Sequence, residues 1–264
     1  MRFFRCSLSI GFAAILSVFA ASEVFGQTAL DGIVRSKAVR IAIPTDFPPY
    51  GFVGSDMQPQ GLDIDMARLI AGKLGATPEL IPVTTANRIP YLQTKKADLV
   101  ISTLGKNPDR EKVIDFTVAY SPFFIGVFAP KATELKGPEA LAGKSIAVTR
   151  GSVDDAELTK VAPPTAEVRR FEDNNATISA FVAGQTQAVA TSAQVAAAMI
   201  TKNPQLGAEY KFLLKDSPNF IGVGKSEDAL RAKLNEIILA AKADGTLEAL
   251  SRKWLGRSTG DLPE

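Results

Sequence analysis

The sequence predicts an α/β protein built from two βα-rich blocks, the second bracketed by crossover strands. Three observations predict it. From about Val39, short apolar runs alternate with amphipathic stretches, the pattern of strands and helices laid down in turn. The alternation restarts after Lys131–Gly143, a stretch of linker type bearing Pro, Gly and Lys. Two apolar runs, Phe123–Phe128 and Phe220–Val223, flank the second block and read as the crossovers.

In the first block, Val39–Ile43 is a strand ended by Pro44. Gly61–Leu74 is the clearest helix: Leu62, Met66, Leu69, Ile70 and Leu74 recur on one face, and Gly75 stops it. Glu79–Val83 returns as a strand, Arg88–Thr94 is a short helix, and Leu99–Ser102 is a buried strand. Phe123–Phe128, apolar almost throughout, reads as a long central strand. In the second block, Ser145–Val148, Glu167–Phe171, Ala188–Ala190 and Lys211–Leu214 are strands. Val153–Val161, Asn175–Val182 and Gln194–Ile200 are the helices between them. Phe220–Val223 is the return strand, and the amphipathic helices Ala229–Ala241 and Thr246–Trp254 are free to rejoin the first block.

Composition narrows the function. The chain has 264 residues, enough for one large domain or two modest lobes, and a net charge of only +2. Such a charge gives no bulk attraction to nucleic acid or to a membrane surface. Histidine is absent, which removes serine–histidine and cysteine–histidine catalysis and the commonest transition-metal ligand. No metal and no cofactor are expected. The start reads as an export signal over residues 1–26: Arg2 and Arg5, an apolar stretch Leu8–Ala21, then small residues with cleavage after Ala20 or Gly26. The apolar run is short for a membrane span, and an uncleaved anchor is the alternative. Cys6, the one cysteine, falls within this leader, so no disulfide is expected after cleavage. Losing Arg2, Arg5 and Glu23 from 30 basic and 28 acidic residues leaves 28 against 27, a nearly neutral mature chain.

In open α/β sheets, ligands bind beyond the carboxyl ends of strands. Strand Leu99–Ser102 leads into Thr103, Leu104 and Gly105, and then into Asn107-Pro108-Asp109-Arg110. Asn107 is a good N-cap and Pro108 suits the first helical position, so Arg110 falls in the first turn. Hydroxyls, a glycine N–H and an arginine converge there, a set suited to gripping a carboxylate. Surface pairing of Arg110 with Asp109 or Glu111 is the plainer alternative. Strand Ser145–Val148 leads into a second small-residue turn, Gly151-Ser152, before a helix. The third loop, Pro44–Tyr50, carries Asp46 and Phe47 between prolines that could hold an aromatic wall in place. Asp63 and Asp65 stand at a helix start, where the dipole alone accounts for them.

These residues together resemble the amino-acid-binding (family 3) extracellular solute-binding proteins of ABC importers. The resemblance rests on Gly61-Leu62-Asp63-Ile64-Asp65-Met66-Ala67, on Ile89–Leu92 through Ala97–Ser102, and on Asn107–Thr117. Gly245-Thr246-Leu247 and Lys253–Gly256 extend it to the C-terminus. It implies a two-lobed, type II periplasmic-binding-protein fold with two hinge crossovers. Lobe 1 would comprise residues 27–125 and 222–264, and lobe 2 residues 126–221. It also implies that Arg110 grips a ligand carboxylate with Thr103 and the Gly105 N–H, with Ser102 adjacent. Phe47 would be the aromatic wall, and Ser152 with Val153 the contact from the second lobe. The implied partners are a small-molecule ligand and a membrane permease, with the protein a periplasmic monomer.

Two departures bear on the ligand. Where the family usually places an aspartate for the ammonium, this chain has Ser192, which offers no countercharge. Before the second helix the family often has an aromatic, whereas here Thr85 precedes Asn87 and Arg88. A cleft-facing Arg88 would suit a ligand with extra negative charge. Asp46 could supply the missing acid, or the ligand could lack an ammonium. The rival readings are an enzyme on the same fold, similar to cyclohexadienyl dehydratase, and a sensory module reporting to a membrane receptor. An enzyme would have to use Asp46, Asp154 or Asp155 as its cleft acid.

Overall fold

The structure is a computed structural model that describes residues 28–263. The expected export signal, residues 1–26, lies outside the described residues. The chain opens with α1 (Ala29–Ser36), β1 (Ala38–Ile43) and a small three-stranded sheet of β2 (Asp46–Phe47), β3 (Gly51–Val53) and β4 (Pro59–Gln60). Next come α2 (Leu62–Lys73), β5 (Thr77–Pro82), α3 (Arg88–Gln93), β6 (Leu99–Leu104), α4 (Pro108–Glu111) and β7 (Ile114–Ser121). The second block holds β8 (Phe124–Pro130), β9 (Ser145–Thr149), α5 (Val153–Val161), β10 (Glu167–Phe171) and α6 (Asn174–Val182). It continues with β11 (Ala188–Ser192), α7 (Ala193–Lys202) and β12 (Ala208–Asp216). The chain then runs through β13 (Asn219–Gly224), α8 (Asp228–Ala243) and α9 (Thr246–Leu255).

Two five-stranded sheets form two lobes, in the orders β5-β1-β6-β13-β7 and β10-β9-β11-β8-β12. Each is parallel on one side and closed by antiparallel strands on the other. In the second sheet, Val127, Ala129, Ile146, Val148, Ala188 and Ala190 pack on one face. Phe128, Ala147 and Val189 pack on the other. Alternate residues therefore fill two different cores. That is why these strands read as unbroken apolar runs rather than as alternation.

The chain passes between lobes at Pro122–Phe123 and at Ser217–Pro218, each two residues long. These passages support each other: the Ser217 N–H donates to the Phe123 carbonyl at 2.8 Å, and Asn219 Nδ2 donates to Ser121 Oγ at 2.9 Å. The expected limits at 125/126 and 221/222 run through β8 and β13; a proline at each passage ends pairing a few residues earlier. Lys131–Gly143, read as a stretch of linker type, lies within the second lobe. Its Leu135 and Leu141 are buried in the core of the second lobe with Val127 and Ile146.

α9 returns to the first lobe and docks on α2. Asp65 accepts hydrogen bonds from Trp254 Nε1 at 2.8 Å and Lys253 Nζ at 2.7 Å, and the Trp254 ring meets Phe52 edge-on. Trp254 is a packing residue. Gly61, just before α2, sits at φ +128°, and a Cβ there would lie 2.2 Å from the Tyr50 carbonyl oxygen. Only glycine fits this backbone crossing.

Candidate ligand-binding site

The loops that leave the carboxyl ends of β1, β6, β9 and β11 face one another across the gap between lobes. Three helices there carry their own caps. Asn107 Oδ1 accepts the Arg110 N–H at 2.9 Å, Ser152 Oγ accepts the Asp155 N–H at 2.9 Å, and Ser192 Oγ accepts the Val195 N–H at 3.2 Å. The lobes close around a cavity of about 10 Å³, space for roughly one water molecule. Lobe 1 lines it with Phe47, Thr85, Arg88 and Thr103, and Phe123 lines it from the crossover. Lobe 2 contributes Ser152, Val153, Asp154 and Asn174. A far larger hollow, about 880 Å³, lies beside α1, against Ala38 and Arg40 of β1. It opens at the amino ends of the parallel strands, the wrong end of the sheet for a ligand in this architecture.

Arg88 is 4% exposed and held within the cavity wall. Its Nε donates to the Thr85 carbonyl at 2.9 Å, and its Nη1 to the carbonyls of Ser102 at 2.7 Å and Thr103 at 3.1 Å. Burial and the neighbouring Arg110 charge pull its pKa down to about 9, against the acids Asp154, Asp63 and Asp46. It stays a cation at neutral pH. Arg110, 8% exposed, sits behind the cavity at the seam of the lobes. Its Nη1 donates to the Gly105 carbonyl at 2.6 Å, and its Nη2 crosses to the Gly151 carbonyl of the other lobe at 2.9 Å. Burial lowers its pKa to about 10, with Asp154 opposing the shift.

The loop after β6 is fixed from below. Thr103 has φ +45°, an unusual conformation for a non-glycine residue. Its N–H donates to Asp63 Oδ2 at 2.8 Å, and the Tyr120 hydroxyl donates to Asp63 Oδ1 at 2.6 Å. Asp63 is fully buried; burial pushes its carboxyl up to about 7 despite the two donors and the Arg88 charge. The dipole reading of Asp63 is therefore incomplete, because this carboxylate shapes the loop that faces the ligand gap. Gly105 stands where the lobes approach closely. A Cβ there would meet Val153 Cγ2 at 2.6 Å and Ser217 Oγ at 2.8 Å.

The structure brings Phe47, Thr85, Arg88, Thr103, Ser152 and Val153 together at the cavity. Ser102 and Gly105 stand behind it, and their carbonyls hold the two arginines. Asp46 and Ser192 do not line it. Both Asp46 oxygens are taken by Asn174, from its N–H at 2.8 Å and its Nδ2 at 3.1 Å. Ser192 is fully buried as the cap of α7. Sequence reasoning left out Phe123 and Asn174, and considered Asp154 only as the cleft acid of an enzyme, not as a ligand contact. Phe123 completes an aromatic cluster with Phe47 at 6.3 Å and Tyr50 at 5.4 Å. Asp154 is 6% exposed, and its Oδ1 takes no hydrogen bond among the described residues. Among those residues no group of acidic or sulfur ligands could hold a metal ion. Among the described residues, no helix is long and apolar enough to cross a membrane.

The chain is similar to known proteins along almost all of its described length. The ABC transporter arginine-binding protein 1 of Escherichia coli (strain K12) is 28% identical over 91% of this chain and 97% of its own length. An ancestral arginine-binding protein bound to arginine superposes with a TM-score of 0.79 at 31% identity, covering 83% of this chain and 99% of that one. The ancestral amino-acid-binding protein AncCDT-1, a precursor of cyclohexadienyl dehydratase, gives 0.77 at 28% identity over 86% and 99%. Residues 39–257, spanning both lobes and every loop of the cleft, match the bacterial extracellular solute-binding proteins, family 3, and the chain belongs to that family.

Proposed function

We propose that this protein is the substrate-binding component of an ABC importer and captures a small carboxylate-bearing ligand, a polar amino acid, by closing its lobes. The observation that carries this reading is the seam itself. Two buried arginines and a buried aspartate meet where strand-end loops of both lobes converge, and Arg110 bonds to both lobes. When the lobes part, the Arg110 Nη2–Gly151 bond breaks and that nitrogen is released for a ligand carboxylate. The α5 turn at Ser152 then closes over the ligand, and the closed form is what a membrane permease recognises. In this reading residues 1–26 are removed on export, and the protein works in the periplasm as a monomer without chemical turnover.

Arg88 in the cavity wall favours a finer reading, a ligand that carries a second acidic group. Its Nη2 takes no bond among the described residues, so it is open to an incoming acceptor. A thermal-shift screen of the refolded, ligand-stripped protein tests both. Amino acids, dicarboxylates and carboxylates without an amine are compared, because a ligand of the native state raises the melting temperature. A shift with amino acids, recovered chemically unchanged, supports the carrier. Conversion of the bound compound would replace it with the enzyme reading.

A further inference from the structure

We propose that Asp154 is the carboxylate that receives the ligand's ammonium group, which makes the site selective for α-amino acids over carboxylates without an amine. This rests on the amino-acid carrier reading above and deepens it. The chain lacks an acid at Ser192, yet a zwitterion closed between two arginines needs an anion beside its amine. Asp46 is committed to Asn174 through both oxygens, and Asp63 to Thr103 and Tyr120 through both of its own. Asp155 is likewise engaged with the Gly151 N–H and with Arg170. Asp154 alone among these lines the cavity, is buried, and leaves an oxygen without a partner.

Its surroundings fit a cation. A buried acceptor without a donor is costly to keep, and native proteins seldom keep one without a use. Asp154 occupies the second position of α5, where the exposed N–H groups favour the ionised carboxylate. Across the cavity stand Phe47 and Phe123, whose ring faces attract a cation. The charged groups that act on it are Arg88 and Arg110. Burial pushes its carboxyl up to about 6, against the Ser152 hydroxyl, its own N–H and the two guanidiniums. An ammonium placed against Oδ1 would stabilise the ionised form further.

The test compares each amino acid with its 2-hydroxy analogue by calorimetric titration, for instance L-glutamate with 2-hydroxyglutarate. The unaltered protein should prefer the amino acid by at least about 100-fold, as expected when an analogue leaves a buried charge unpaired. In Asp154→Asn the preference should fall to within about threefold, with the hydroxy acid still bound. Should that variant fail to fold by circular dichroism, Asp154→Ser is titrated with the same expectation. A preference retained in a folded Asp154 variant would overturn the proposal and leave the carrier reading intact. A preference lost in Asp46→Asn instead would move the role to Asp46. Absence of binding by any amino acid to the unaltered protein would bring down the carrier reading and this proposal together.

Discussion

Asp63 contributes to the site without lining it. It holds the Thr103 N–H in a left-handed turn and takes the Tyr120 hydroxyl, so truncating it strands two buried donors. Asp63→Ala should cost about 1–3 kcal/mol in urea unfolding and should also weaken ligand binding. Its pH dependence has a definite sign. With its pKa raised from 3.8 to about 7, the folded protein holds a proton that the unfolded chain releases. Asp154, raised to about 6, acts in the same direction. Their contribution to stability is therefore greatest near pH 4 and declines as pH rises towards 7. The deficit of Asp63→Ala, measured by urea melts across that range, should be larger at pH 4.5 than at pH 7.5. A deficit independent of pH would contradict the burial argument. The sequence places Asp63 and Asp154 in first helical turns, where acids are ordinary. Spacing alone does not say which first-turn acid points inward, so the dipole masked Asp63, and Asp154 was read only as one of three possible cleft acids.

At the level of elements, legibility followed the number of buried faces. β8, β9 and β11 are covered on both sides and show as plain apolar runs. β7 is harder to see, because Asp115, Thr117 and Ser121 interrupt its apolar residues. Those polar groups serve neighbours: Thr117 Oγ1 accepts the Ile221 N–H at 3.0 Å, and Asp115 pairs with Lys225. The cap at Asn107-Pro108 was readable as a strong local signal and forms as expected, whereas Ser152, read as a ligand contact, also caps α5. The expectation for Ser192 rested on a family position; its hydroxyl is fully buried and accepts the Val195 N–H as the cap of α7. Gly105 gives a prediction at this scale. Gly105→Ala places a methyl against Val153 and Ser217 and should oppose closure by about 1–3 kcal/mol. Titration should show weaker ligand binding, while the folded content by circular dichroism stays unchanged.

For the whole molecule, closure is an equilibrium set by few bonds. Asp46 with Asn174, Arg110 with Gly151, and Tyr50 with Gln194 at 3.2 Å bridge the gap, while the paired crossovers keep the lobes in register. A ligand shifts that equilibrium only by what it gains in the closed form. Asp46 does not itself line the cavity, and Asp46→Ala removes two interlobe bonds to Asn174, so it should enlarge the radius of gyration in solution scattering and weaken the ligand by roughly tenfold. An unchanged radius with unchanged affinity would show that this contact does not govern closure.

The most direct test of the central claim is calorimetric titration of the amino acid that gives the largest thermal shift, on the unaltered protein and on Arg110→Ala. The account predicts one ligand bound per chain, and a loss of about 2–5 kcal/mol in the variant, because a buried charge-assisted contact disappears. Equal affinity in the two proteins would contradict it, and the carboxylate would have to be held somewhere other than the seam between the lobes.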